Sequence, residues 1–317
     1  MKKLKKCLIS MLVLCFCLWS IPLFAGGSGV YPNGAEAFLI GVAPPPGFYG
    51  INYLAMFHLP KYKDDDGDTV PSSAFDKGTV FGEILRTIWF SNYKILNGTY
   101  GQHLFIPVLY QDINHTDDTF IPYFIYDPFL LAHHFFNGKL HTIIAFDIYT
   151  PGMSDDDNPA NLHHNYWTFE PIFAFTWLQG PFGISFKFMY DFSTEEDDHL
   201  VNCPSGNSYN LDRTPGQEFH FDYNVSYAVN KKFRIGIGGF WYQQVTDDDY
   251  DNKDSLPAND RNYVDQLEEN HSKMFAIGPG IWFQFNKMFV TLRYQHTIYE
   301  RNAPEMHNFW VKLIWKY

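Results

Sequence analysis

Beyond its first 25 residues this chain has almost no cysteine, no apolar run long enough to be a spanning helix, and no surplus of basic charge. Its four cysteines are Cys7, Cys15, Cys17 and Cys203. The first three fall inside an N-terminal leader, so a single thiol remains, which cannot close an internal disulfide or build a Cys-based zinc cage. Cys203 therefore reads as structurally unimportant. The leader starts with Lys2, Lys3, Lys5 and Lys6, continues as an apolar run from Cys7 to Trp19, and ends in Leu23-Phe24-Ala25 before Gly26. That is the plan of a cleaved secretory signal peptide, with cleavage expected after Ala25. The run is short of the ~20 residues of a membrane-spanning helix. Losing those four lysines takes the 23 Lys plus Arg to 19 against 35 Asp plus Glu, and the formal charge from −12 to −16. A chain so acidic makes nucleic acid an improbable partner.

What the chain has instead is aromatic residues, 19% of the total, at a slightly negative mean hydropathy of −0.24. Abundant aromatics without long apolar runs favour strands over spanning helices. Phe182, Ile184, Phe186, Phe188, Tyr190 and Phe192 alternate with Gly183, Ser185, Lys187, Met189 and Asp191, so one face suits lipid and the other does not. Phe219, Phe221, Tyr223, Val225 and Tyr227 alternate in the same way with His220, Asp222, Asn224 and Ser226. Phe233, Ile235, Ile237 and Trp241 continue the outer face. Further strands are expected near 47–59, 80–93, 100–111, 120–136, 139–150, 166–178, 271–285, 287–299 and 307–317, about twelve in all.

Connections between these strands sort by length. Asn137-Gly138, Gln179-Gly180, Asn230-Lys231 and Asn286-Lys287 mark tight turns. The long connections between them hold Asp64, Asp65, Asp66 and Asp68; Asp155, Asp156 and Asp157; Glu195, Glu196, Asp197 and Asp198; and Asp247, Asp248, Asp249 and Asp251. Short turns on one side and long loops on the other describe an outer-membrane barrel, with short turns periplasmic and long loops outside. On the final strand Phe309, Val311, Leu313, Trp315 and the terminal Tyr317 share one face, and an aromatic last residue resembles the signal read by the barrel assembly machinery. The expectation is an all-β fold: one antiparallel transmembrane β-barrel over 47–317, both termini periplasmic, preceded by a signal peptide over 1–25 and an irregular segment over 26–46.

Gly41-Val42-Ala43-Pro44-Pro45-Pro46-Gly47-Phe48-Tyr49 resembles the entry motif of the family named after the meta-pathway of phenol degradation, whose members are also called SphA-like proteins. The resemblance continues through Tyr93 to Gly101, Thr150-Pro151-Gly152, Asn165-Tyr166-Trp167, Asn302-Ala303-Pro304-Glu305 and Asn308-Phe309-Trp310. Asn97 displaces the usual glycine after Lys94-Ile95-Leu96. The resemblance implies a channel or transporter in the bacterial outer membrane for passive uptake of hydrophobic or aromatic small molecules. A structural or surface-interaction barrel with a closed lumen is the alternative.

The alternation assigns Phe105, Glu170, Asp191, Asp222, Arg234, Phe240, Trp282, Arg293 and Trp310 to the inward face, together with Lys187, Lys312, Leu109 and Ile172. These are the substrate-path candidates. Apolar walls with a few orienting polar groups have the make-up of a small-molecule site, although aromatics filling a narrow barrel and charges paired with one another would give the same list. Residues 26–46, rich in glycine before a triple proline, are a candidate plug or a disordered tail. Partners expected besides small molecules are outer-membrane lipid and lipopolysaccharide, whose phosphates the acidic loops could reach through divalent cations; no loop has EF-hand spacing. No cofactor, metal or catalytic residue is expected. Ser185 and Ser226 face inward and His141 and His220 are conceivable bases, but no Gly-x-Ser-x-Gly elbow surrounds either serine. The second strand resists sorting, because Glu83, Arg86 and Trp89 do not fall cleanly on two faces; Arg86 is expected inward.

Overall fold

A computed structural model of the chain describes residues 29–152 and 164–317. The leader and Asp155 to Asp157 lie outside the described residues. Twelve long strands form the wall: β1 (Gly47–Lys63), β2 (Gly78–Ile95), β3 (Gly98–Ile113), β5 (Ile125–Phe135), β6 (Leu140–Tyr149), β7 (Thr168–Gln179), β8 (Phe182–Ser193), β11 (Glu218–Asn230), β12 (Phe233–Gln244), β14 (Lys273–Phe285), β15 (Met288–Arg301) and β16 (Ala303–Lys316). Each pairs antiparallel with its neighbours, β1 pairs with β16, and β2 pairs with both β1 and β3, so the sheet closes on itself without a free edge. Closure is what a sheet in hydrocarbon requires, since no water is available to satisfy an exposed edge.

Side-chain alternation sets which face is which. In β8 and β11 the phenylalanines and tyrosines lie on the outside, while Ser185, Lys187, Asp191, Glu218, His220, Asp222 and Asn224 are buried within. Leu54, Met56, Phe81, Leu104, Val108, Phe173, Ile184, Val225, Ile235, Ile237 and Phe309 are exposed on the outer wall, where lipid covers them. Arg86 points inward and Trp89 outward, where it stacks on Phe48. Glu83 also faces outward and accepts a hydrogen bond from Asn52 Nδ2 at 3.1 Å. A polar pair on the lipid face is why this strand defies two-way sorting.

Tight turns at one end join β2/β3, β5/β6, β7/β8, β11/β12 and β14/β15. In the first, Leu96 and Asn97 both take positive φ, 50° and 66°, the turn geometry whose twist matches that of the flanking strands. At the other end the connections are long, with one exception: β15 passes to β16 through Asn302 alone, at φ 43°. The strand expected over 120–136 is β5, which starts only at Ile125; before it an additional strand, β4 (Thr116–Phe120), folds back on β3.

Two long connections are not simple loops. β9 (Glu196–Asn202), β10 (Ser208–Thr214) and β13 (Asp249–Tyr250) form a small sheet, joined by a 3₁₀ turn at Lys253–Ser255 and the helix α1 (Ala258–Glu268). Its core is Val201, Cys203, Leu211, Tyr250 and Val264, with Leu256, Tyr263 and Leu267 packed on it. Val264 and Leu267, one turn apart with Tyr263 beside them, give α1 its apolar side, and Pro257 precedes its first turn. Cys203 is thus a core residue of this subdomain, a correction to its reading as unimportant. The acidic runs are partly structural as well: buried Asp248 accepts from Arg213 Nε at 2.9 Å and from the Gly216 amide at 2.7 Å.

Candidate functional site: the occupied lumen

Residues 29–46 lie inside the barrel. The segment enters beside β1, where the Tyr49 hydroxyl donates to Pro45 O at 2.6 Å, and climbs the lumen in reverse chain order. The Gly41 amide donates to Thr176 Oγ1 at 2.9 Å. A Cβ on Gly41 would meet wall backbone at 2.7 Å from Phe175 C and Thr176 N, so only glycine permits this approach. Phe38 fits a notch made by the cross-strand glycines Gly236 and Gly280, whose added Cβ atoms would come within 2.9 and 3.1 Å of its ring. At the far end the Gly29 amide donates to Glu218 Oε1 at 2.7 Å, at the extracellular start of β11. The first described residue, Gly29, therefore sits at the outer end of the lumen, whereas the C-terminal strand ends on the periplasmic side.

Two carboxylates hold the segment. Asp222 accepts from the Tyr31 hydroxyl, the Gly34 amide and the Glu36 amide, each at 2.8 Å. Glu36 in turn accepts from the Tyr53 hydroxyl at 2.7 Å and Arg86 Nη1 at 3.2 Å, and pairs with Lys312. Arg293 Nη1 donates to the Glu36 carbonyl at 2.8 Å. Glu36 is thus paired with cations across the lumen, and Asp222 is satisfied by three neutral donors of the segment, as buried polar groups must be.

Aromatics of the lumen wall and the segment pair with charges of the wall. Arg86 lies over the Phe105 ring at 4.4 Å, Lys187 over Tyr31 at 4.1 Å, Lys312 over Tyr53 at 5.0 Å and Arg293 over Trp310 at 5.8 Å, all within reach of a cation–π attraction. A second polar layer surrounds the segment's outer half. Glu170 accepts from Tyr149 at 2.9 Å and from Lys187 at 3.4 Å, and His220 sits 3.2 Å from Asp191. His103 lies between Arg86 Nη2 at 2.9 Å and Asp147 at 2.7 Å.

Seven of the sequence-derived path residues, Phe105, Glu170, Asp191, Asp222, Phe240, Arg293 and Trp310, come together around the segment. Arg234 and Trp282 do not. They are cross-strand partners near the periplasmic turns, Arg234 bonded to Ser226 and Pro181 O, and Trp282 stacked on Phe289 with centroids 5.4 Å apart. The residue that sequence reasoning passed over is Glu36. Its signal is a lone carboxylate in Gly34-Ala35-Glu36-Ala37-Phe38, an otherwise small and apolar stretch.

The family described as "Putative MetA-pathway of phenol degradation" matches residues 62–313. The chain belongs to that family. Among solved structures, this family member is similar to an outer membrane channel from Pseudomonas putida F1, with 14% identity, 91% of this chain and 100% of that chain covered, and a TM-score of 0.72. It also matches a deletion mutant of the TodX monoaromatic hydrocarbon channel (9% identity, 90% and 93% covered, TM-score 0.46) and the CymD monoaromatic hydrocarbon channel (8%, 86% and 89%, TM-score 0.44). The first likeness shows the fold, a closed outer-membrane barrel. No curated protein matches the sequence.

Proposed function

We propose that the protein is a gated, passive outer-membrane route for hydrophobic or aromatic small molecules, with residues 29–46 as its plug. The observation that carries the gating is the Asp222–Glu36 latch. Three donors from the segment converge on Asp222, and Glu36 ties the same segment to Arg86, Tyr53 and Lys312 on the wall. The substrate class rests on the family's link to phenol degradation and on the wall's aromatic faces, Phe105, Trp310 and Tyr53. Wall cations lie over these rings in the closed state, and Arg86 and Lys312 lose their Glu36 anchor when the segment moves. Phe105, Glu170, Asp191, Asp222, Phe240, Arg293 and Trp310 form the path, while Arg234 and Trp282 flank its periplasmic mouth.

The protein acts without catalysis in this reading. The Ser185 hydroxyl is bonded to Thr176 at 2.9 Å, and that of Ser226 to Gly183 O and Arg234. Neither pairing supplies the histidine base that a serine nucleophile needs.

Uptake of a labelled phenolic or alkylbenzene is the test, compared in the parent strain, a deletion strain, and that strain carrying wild type or Asp222→Ala. Loss on deletion, with rescue by wild type and faster uptake with Asp222→Ala, is expected. Equal uptake in all strains would instead favour the closed structural barrel, a reading supported by the filled lumen and the folded extracellular subdomain.

A further inference from the structure

Three histidines distant in sequence stand on one rung of the barrel wall. His58 of β1 is directly opposite His307 of β16, and His307 is directly opposite His296 of β15. Their neighbours Leu59, Gln295 and Asn308 are buried inward, so all three imidazoles point outward. His296 and His307 stack with centroids 4.5 Å apart and planes 19° apart. Glu305, two residues along β16 and therefore on the same face, brings Oε1 to 3.7 Å from His307 Nε2. Ligand atoms of His296, Glu305 and His307 all lie within 4.8 Å of one another.

Two further features point to a ligand. His296 Nδ1 is buried without a hydrogen-bond partner, although an imidazole nitrogen so placed normally finds one. The Tyr294 hydroxyl lies 2.7 Å from His307 Nδ1, the outer contact that fixes a ring so that its other nitrogen is presented to a metal. Imidazole and carboxylate together suit borderline divalent ions, whereas calcium and magnesium take oxygen ligands. His58, with its ring 6.2 Å from that of His307, flanks the cluster on the other side. Eleven residues up β1 at about 3.4 Å each and a tilt of about 40° put this rung ~29 Å above the periplasmic end, at the upper edge of an apolar band ~25 Å tall. The cluster is therefore level with the outer headgroups.

We propose that His296, Glu305 and His307 form a site for a divalent transition metal of the Zn²⁺ class on the outer wall of the barrel, with an open coordination position facing away from the wall. Two imidazoles and one carboxylate with a free fourth position is a donor set zinc accepts. The lipid-exposed mouth leaves that position to water or to an oxygen ligand from the headgroup layer. The site is independent of the lumen and does not rest on the transport reading.

Calorimetric titration of the tag-free mature barrel in detergent with Zn²⁺, after chelator treatment, tests this. One equivalent per barrel is expected, not displaced by excess Ca²⁺. His296→Ala and His307→Ala should each weaken binding by at least the about 10–100-fold that loss of a mere outer-shell partner costs, with Glu305→Gln weaker than wild type and heat-modifiable gel mobility reporting that each variant is folded. Unchanged affinity in the folded His296→Ala/His307→Ala variant, or no binding by wild type, overturns the proposal. Should those variants fail to fold, Cu²⁺ spectra of His134→Ala, which removes the other close imidazole pair, decide: nitrogen coupling from two imidazoles supports the site, and an all-oxygen spectrum overturns it.

Discussion

At the scale of single residues, Glu36 and Asp222 hold the balance of the lumen. Glu36 is the shared acceptor for Arg86, Lys312 and Tyr53, so Glu36→Ala leaves two buried cations without their carboxylate. Breaking a buried pair by removing one partner costs about 3–5 kcal/mol, and urea unfolding of the purified barrel should show a loss of that order. Asp222→Ala removes the acceptor of two segment amides and a tyrosine hydroxyl, and is expected to loosen the segment more than the wall. Gly236→Val crowds the Phe38 ring, and also the Val225 carbonyl of the wall, which an added Cβ would meet at 2.8 Å. Its side chain would occupy the Phe38 notch, so single-channel recordings should show more frequent opening; closed-state statistics identical to wild type would argue that Phe38 does not seat the segment. Trp282, at the periplasmic mouth, is a poor place to block the path from within, because it stands apart from the latch.

Among the elements, the segment 29–46 and the extracellular subdomain have opposite characters. The segment has no regular hydrogen-bond ladder and is held by its wall contacts, so deletion of residues 29–43 is expected to leave a folded barrel with raised ion conductance in planar bilayers. Unchanged conductance in a correctly assembled deletion variant would remove its role as a plug. The subdomain of β9, β10, β13 and α1 has its own core and its own ion pairs. Burial pushes the Glu196 carboxyl up, but hydrogen bonding and charge from His199, together with the Arg213 guanidinium, outweigh it and hold the group below the usual carboxylate range. A carboxyl lowered on folding stabilises the fold above its unfolded value, about 4.3 for Glu, and that contribution is lost as pH falls through the lower folded value. Limited acid proteolysis should therefore cut within residues 196–214 before it cuts the barrel, and Glu196→Gln should flatten that pH dependence.

For the whole molecule, closure of the sheet, the outward apolar belt and the sorted turns fix the outer membrane as its place. Fractionation should recover the protein with the outer membrane in a heat-modifiable form. Loss of aromatic uptake in the deletion strain is the corresponding functional expectation.

Strand number, the two faces of β8, β11 and β16, and the periplasmic turns were legible in the sequence because each depends on local chemistry. Alternation with period two and turn residues with positive φ are written within a few residues of one another. The tight Asn302 turn, the short extra strand β4, and the folded subdomain were not legible. Their signals are short, and their cores join residues such as Val201 and Val264 from separate connections. The candidate path residues could be assigned to the inward face, but which of them gather could not, since height along a tilted strand depends on register with neighbours far off in the chain. By itself, then, the sequence determined a barrel and its sidedness, because lipid imposes a local pattern on every strand. Only the tertiary structure decided that the lumen is filled, that Glu36 meets Arg86 and Lys312, and that His58, His296 and His307 share a rung, because those contacts arise from closure of the sheet and from the inward path of the N-terminal segment.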